Sequence, residues 1–209
     1  MMTTPGNRLQ EHFGRYNTQL YVALATLLVG GLFGVLAIGT LSPADKLSLL
    51  AYLRRFLDIE ALAPTYHHIF QRALVDNLKV LGLLYLLGVS VAGMPLVLVV
   101  VFFRGFVVGF AAAFLVTSMH WQGVAVGLLT MGLANVFVLP ALMLVATVAL
   151  GFSWDLISPR ARQEGPGIGR GFAFFTGLVA VMAAVTLVGT VLESYASPLL
   201  LHLFSTWGI

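Results

Sequence analysis

The chain contains no cysteine and very little charge. Without a thiol it can form no disulfide, offers no thiol nucleophile and gives no sulfur ligand to a metal. Charged residues make up 9% of the 209 positions and hydrophobic residues 59%, against roughly 25% charged in an ordinary soluble domain. The charge is also unevenly spread: none falls between Val80 and Phe103, and none in the 50 residues separating Arg104 from Asp155. Apolar runs of that length do not suit a water-soluble core, and they predict an all-α integral membrane protein. The longest gap between such runs is 38 residues, too short for a separate soluble domain, so residues 1–209 read as a single membrane domain. The 11 basic residues against 8 acidic ones give a net charge of +3. These cations are scattered among loops rather than gathered on one face, which argues against a nucleic-acid partner.

The spacing of the runs predicts about five transmembrane helices and one amphipathic interfacial segment between the first two. A polar tail, 1–19, leads into a first span at 20–41, too long for a signal-peptide core and read as a retained anchor. Gly30 and Gly34 give this span a small-residue face, either a packing seam or an incidental feature of a lipid-facing helix. Residues 42–79 hold nine of the 19 charges and read as an outer amphipathic helical loop, begun by Ser42-Pro43-Ala44-Asp45 and interrupted at Pro64. Span two is placed at 80–103, about 36 Å long at helical rise and enough to cross a hydrocarbon core. A lone arginine in lipid is costly, so Arg104 is expected at a turn on the membrane surface. Span three is then 105–119, a turn follows at Ser118–Gly123, and span four is 124–152. A glycine- and proline-rich loop at 153–170 precedes span five, 172–192, and a tail, 193–209.

Loop cations bear on orientation. With the amino terminus in the cytoplasm, Arg8, Arg15, Arg104, Arg160, Arg162 and Arg170 lie inside, and Lys46, Arg54, Arg55, Arg72 and Lys79 outside, six against five. The cation-free tail and outer turn favour the same arrangement, which puts the carboxyl terminus outside.

Few groups suit chemistry. No pair of carboxylates lies within a span, there is no H-E-x-x-H, and the adjacent His67 and His68 point about 100° apart on a helix and do not share a metal readily. Ser153 lacks the surroundings of a nucleophile. No catalytic residue, cofactor site or metal site is expected. Gly105 and Gly109, one helical turn apart, together with Gly88 and Gly93, are candidates for close helix packing. Asn135 with Pro140 places an amide near a proline kink, to serve as an interhelical hydrogen bond, a hinge or part of a permeation path.

Several of these residues also carry a family likeness. Asn77-Leu-Lys-x-x-Gly, then Leu-Gly-x-Ser-x-x-Gly-x-Pro ending at Pro95, then Arg104-Gly-Phe-x-x-Gly-Phe-x-x-x-Phe-Leu, resembles the stage II sporulation protein M family. Asn135 followed by Pro140 is similar to the family's Asn-x-x-x-x-Pro, and Glu193-Ser-Tyr195-Ala-Ser-Pro198 to its Glu-x-Tyr-x-Ser-Pro. Ala113, and Leu133-Ala134, depart from the family pattern. The resemblance implies a non-enzymatic membrane scaffold that recruits the peptidoglycan-cleaving stage II sporulation proteins D and P to the septal membrane during engulfment. Such a chain would have membrane lipid around it and could form a homo-oligomer. A reading from another class remains, a small oligomeric transporter or channel built around Arg104 and Asn135.

Overall fold

A computed structural model of the chain describes residues 16–51, 66–128, 132–158 and 167–206, which are helical apart from short connections. Five long helices carry the architecture: α1, Asn17–Thr40; α2, Tyr66–Val89; α3, Gly93–Gly127; α4, Leu133–Ile157; and α5, Ile168–Thr206. A short helix at 43–51 follows α1. It starts as its sequence predicts, with Ser42 Oγ donating to Asp45 Oδ2 at 2.7 Å and the Asp45 N–H donating to Ser42 Oγ at 3.2 Å. Its predicted continuation towards Pro64 lies outside the described residues.

Among the described residues four helical stretches are long and apolar enough to cross a membrane: Asn17–Thr40, Gly93–Ser118, Asn135–Ile157 and Ile168–Leu192. The remaining long helix, α2, carries Arg72, Asp76 and Lys79 within its first 14 residues and does not meet that test. The core lies around α4. Of its spanning stretch 72% is buried, against 22%, 17% and 11% for the other three, so α4 is the helix the bundle encloses. Leu142, Val145, Ala146 and Ala149 on α4 pack with Leu81 and Leu84 of α2, Val97 and Val101 of α3 and Phe175 of α5. Phe175 stands 5.3 Å from the Tyr85 ring and 5.9 Å from that of Phe152, and ties three helices together at one end.

The closest helix contact joins α1 to α3. A Cβ on Gly30 would run into the Phe102 carbonyl, one on Gly34 into that of Phe106, one on Gly105 into that of Leu27, and one on Gly109 into that of Gly31. Residue numbers rise together on the two sides of this seam, so the helices are parallel. Lipid supplies no hydrophobic drive for two apolar helices to meet, and dispersion between closely approached backbones takes its place. The seam therefore needs glycine on both faces, and its reading as a packing surface replaces the incidental one for Gly30 and Gly34.

Three expected boundaries are corrected. The run 80–103 is not one helix: it breaks at Ser90–Ala92, where the Ser90 N–H donates to the Leu87 carbonyl and the Gly93 N–H to that of Ser90, each at 3.0 Å. Gly93 permits this because a side chain there would strike the Leu87 carbonyl, and Pro95, lacking an N–H, suits the first turn of the new helix. In consequence 66–79 belongs to α2 rather than to a loop, and Arg104 lies inside α3 rather than at a turn. Taking Arg104, Arg72 and Lys79 out of the loops changes the six-to-five count of cations to five against three. The turn expected at Ser118–Gly123 is also absent, since α3 runs on to Gly127. Just before it, Thr117 Oγ1 turns back onto its own helix and donates to the Ala113 carbonyl at 2.8 Å. Finally, α5 passes the predicted end at Leu192 and reaches Thr206, with Ser194 buried and donating to the Thr190 carbonyl at 2.8 Å.

The seam makes a direct prediction. Gly109→Ala is expected to destabilise the protein by about 1–3 kcal/mol through overpacking, whereas Gly39→Ala, where a Cβ meets nothing within 4 Å, is expected to be neutral or slightly stabilising. Thermal loss of the monodisperse peak in detergent measures both. Equal melting of the two variants would remove the seam from the account.

A buried polar cluster between three helices

Hydrogen-bonding groups far from water have to find partners within the protein. Inside this bundle they converge on Asn77, a buried residue of α2. Arg104 on α3 donates from Nη2 to Asn77 Oδ1 at 3.4 Å, and Asn77 donates from Nδ2 to Thr190 Oγ1 of α5 at 3.3 Å. The directions follow from chemistry: a guanidinium only donates, so Asn77 must turn its carbonyl oxygen to Arg104 and its NH2 group to Thr190. Thr190 passes its own proton to the Thr186 carbonyl at 2.8 Å and keeps a lone pair for Asn77. Thr186, Thr190 and Ser194 recur every four residues and form one buried hydroxyl face on α5.

A second set of bonds holds the break between α2 and α3. Ser153, fully buried on α4, sends Oγ to the Gly88 carbonyl at 2.8 Å, with the Ser90 carbonyl 3.2 Å away. The Gly88 carbonyl is released where α2 ends and takes its proton from the hydroxyl of a neighbouring helix, while the Ser90 carbonyl accepts from the Gly93 N–H. Gly88 lies against α4 and α5, since a Cβ there would come within 2.7 Å of both Ala149 Cβ and Phe175 Cζ. Tyr85 and Thr176 share a further hydroxyl contact at 3.1 Å.

The structure thus unites two residues that the sequence singles out for different reasons, Asn77 from a motif and Arg104 as a topology marker. Gly105 and Gly109 serve the α1 seam, Gly88 a three-helix contact, and Gly93 and Pro95 the break that starts α3. Asn135 and Pro140 stand apart in the first half of α4, and none of the hydrogen bonds among the described residues involves Asn135. Glu193, Tyr195 and Pro198 lie on α5 just beyond Thr190; their side chains lie outside the described residues. Sequence reading missed Thr186, Thr190 and Ser194. Their four-residue spacing within an apolar run was the available signal, although isolated hydroxyls commonly bond only to their own helix.

Arg104, Asn77 and the α5 hydroxyls supply a permanent cation, an amide and neutral donors, none of which is a general base near neutral pH. What the cluster can do is lock α2, α3 and α5 in register. Among the described residues no group of three or more potential metal-binding side chains occurs. An apolar cleft of about 360 Å³ opens between the start of α1, the start of α3 and the end of α4, with Gln19, Met94 and Trp154 in its wall.

If the cluster locks the register, Asn77→Leu, which strips Arg104 of a charge-assisted bond and Thr190 of its donor, is expected to cost about 2–3 kcal/mol. Thr190→Val, which removes one neutral interhelical bond, is expected to cost about 0.6 kcal/mol, the usual size within membranes. Unfolding midpoints in mixed micelles check the order. Equal losses would mean that the bond from Arg104 contributes nothing.

A family model described as Stage II sporulation protein M matches residues 23–198, from inside α1 to within α5. No curated protein and no solved structure matches the chain. Together with the apolar helices that build the bundle, a match over this length places the chain in the stage II sporulation protein M family, as a multi-pass membrane protein.

Proposed function

We propose that this protein is a non-enzymatic membrane scaffold that gathers peptidoglycan-degrading sporulation proteins, the stage II proteins D and P, at the septal membrane during engulfment. The observation that carries the proposal is family membership over residues 23–198, joined to an interior whose polar groups are engaged in holding helices to one another. A scaffold requires a fixed shape presented to partners, and glycine seams with interhelical hydrogen bonds supply one. Catalysis then belongs to the partners, and this chain supplies place. The transporter alternative rested on Arg104 at a turn and Asn135 at a kink. Arg104 lies within α3 and bonds to Asn77, so no observation favours that alternative.

In the proposed arrangement α2 crosses the membrane with the other four helices, and the amino terminus lies in the cytoplasm. Packing supports the alternation. The parallel pair of α1 and α3, with α2 and α4 returning between them, puts the start of α1, the break at 90–92 and the end of α4 at one face. In the sequence Arg160 and Arg162 come between α4 and α5 and Arg170 falls in the first turn of α5, whereas the tail beyond α5 carries no Lys or Arg. The outer ends of α3 and α5 would meet the partners. Their 35 and 39 residues correspond to about 52 and 58 Å, more than the roughly 30 Å hydrocarbon core requires.

Affinity purification of a tagged chain from its own membranes in mild detergent is expected to bring proteins D and P with it. Recovery of the chain without them, from cells that express both, would overturn the recruiting role. Orientation has its own test, helped by the absence of native cysteine. In intact cells Ser42→Cys is expected to react with a membrane-impermeant maleimide and Ser158→Cys is not; the opposite pattern would invert the arrangement.

A further inference from the structure

The outward face of α2 places charge at a depth where α1 exposes only hydrocarbon. Two independent links fix that depth. Ser153 on α4 bonds to the Gly88 carbonyl, and the adjacent Leu150 and Trp154 line the same cleft as Thr18 and Val22, so Gly88 is level with the start of α1. From Gly88 up to Asp76 is about 18 Å at helical rise, which brings Asp76 level with the middle turns of α1. The second link agrees: Arg104 bonds to Asn77, and its neighbour Gly105 touches Leu27 of α1. At this level α1 exposes Leu28, Leu32, Phe33 and Leu36, as a helix bathed in acyl chains does. On α2 the side chains of Asp76 and Lys79 are 64% and 71% exposed, and Arg72 is exposed one turn further out.

Asp76 and Lys79 approach each other to 3.5 Å, but this pair lies along one helix and leaves both groups open to the outside. Ionised groups within a membrane face a protein interior or water rather than lipid. The pattern on this face indicates what covers it. Arg72, Val75, Lys79, Gly82 and Leu86 are all exposed at alternating spacings of three and four residues, with Asp76 beside them, and a Cβ on Gly82 would meet nothing within 4 Å. Such spacing is the seam of two helices packed at a shallow angle. The charges alternate along it as cation, anion, cation at 72, 76 and 79, so each anion lies one turn from a cation on either side.

We propose that this face of α2 is the interface between two copies of the chain, related by a two-fold axis along the membrane normal. The parallel pairing sets Asp76 of each copy within one turn of Arg72 and Lys79 of the other. Val75, Gly82 and Leu86 close the seam below and between the charges. An isologous contact of this kind satisfies both copies with one surface and leaves no further site open.

Cross-linking of the full chain in native membranes tests it, because every cysteine is an introduced one. Val75→Cys and Leu86→Cys are expected to form disulfide-linked dimers on oxidation, while Leu32→Cys on the lipid face of α1 is not. On the Val75→Cys background, Asp76→Lys makes the stripe wholly cationic, and Arg72→Asp with Lys79→Asp makes it wholly anionic. Each chain alone is expected to cross-link at under a tenth of the parent level, and the two co-expressed under different tags to recover at least half of it as the mixed dimer. Recovery only in the mixture distinguishes contact between chains from the pair within one helix. Cross-linking at Val75 and Leu86 no greater than at Leu32, or no recovery in the mixture, would overturn the interface. Ready reaction of Val75→Cys with an impermeant maleimide would instead show a water-filled face and overturn it as well.

Discussion

The bond from Arg104 to Asn77 is the interaction on which the rest of the bundle depends. A guanidinium held midway along an apolar helix is costly unless a partner accepts its protons, and the partner here comes from a different helix. That requirement sets how α2 lies against α3. The same amide then reaches α5 through Thr190, so one buried side chain sets the relative height of three helices. Apolar packing alone would tolerate sliding of one helix along another, whereas directional bonds at 3.3–3.4 Å do not.

Around this fixed point the remaining contacts divide the work. The α1–α3 seam joins backbones through glycine, where close approach replaces side-chain interdigitation. The α4 helix is enclosed because alanine and valine along most of its length let neighbours come near on several sides. Ser153 satisfies the Gly88 carbonyl released where α2 ends, so the break at 90–92 is held from across the bundle as well as by its own turn. Each device answers the same constraint: away from water, polar backbone and side-chain groups are paired within the protein and apolar faces gain by fitting closely.

Such an interior suits the scaffold role proposed above. Its polar groups are committed to one another, and its longest helices carry the fold beyond the thickness of a bilayer. Family membership supplies the biological setting for that role. The charged face of α2 adds a requirement of its own, because a surface of that kind within the membrane calls for a cover.

By itself the sequence determined the class of protein. Long uncharged runs, absent cysteine and sparse charge leave only a helical membrane bundle, since no other spanning structure satisfies its backbone with these patterns. Local signals were equally legible where they act locally: the Ser42–Asp45 cap formed as written, and Gly105 with Gly109 lies on a seam. Hydropathy misplaced the helix ends because it counts charge without knowing which charges will be paired. Arg104 reads as a surface residue until Asn77, 27 positions away, is brought beside it, and Asn77 meets Thr190 across 113 positions. Only the tertiary structure decided that the helix breaks at Ser90–Ala92, that Arg104 is inside, and that the hydroxyls of α5 face α2, because each rests on a partner supplied by another helix.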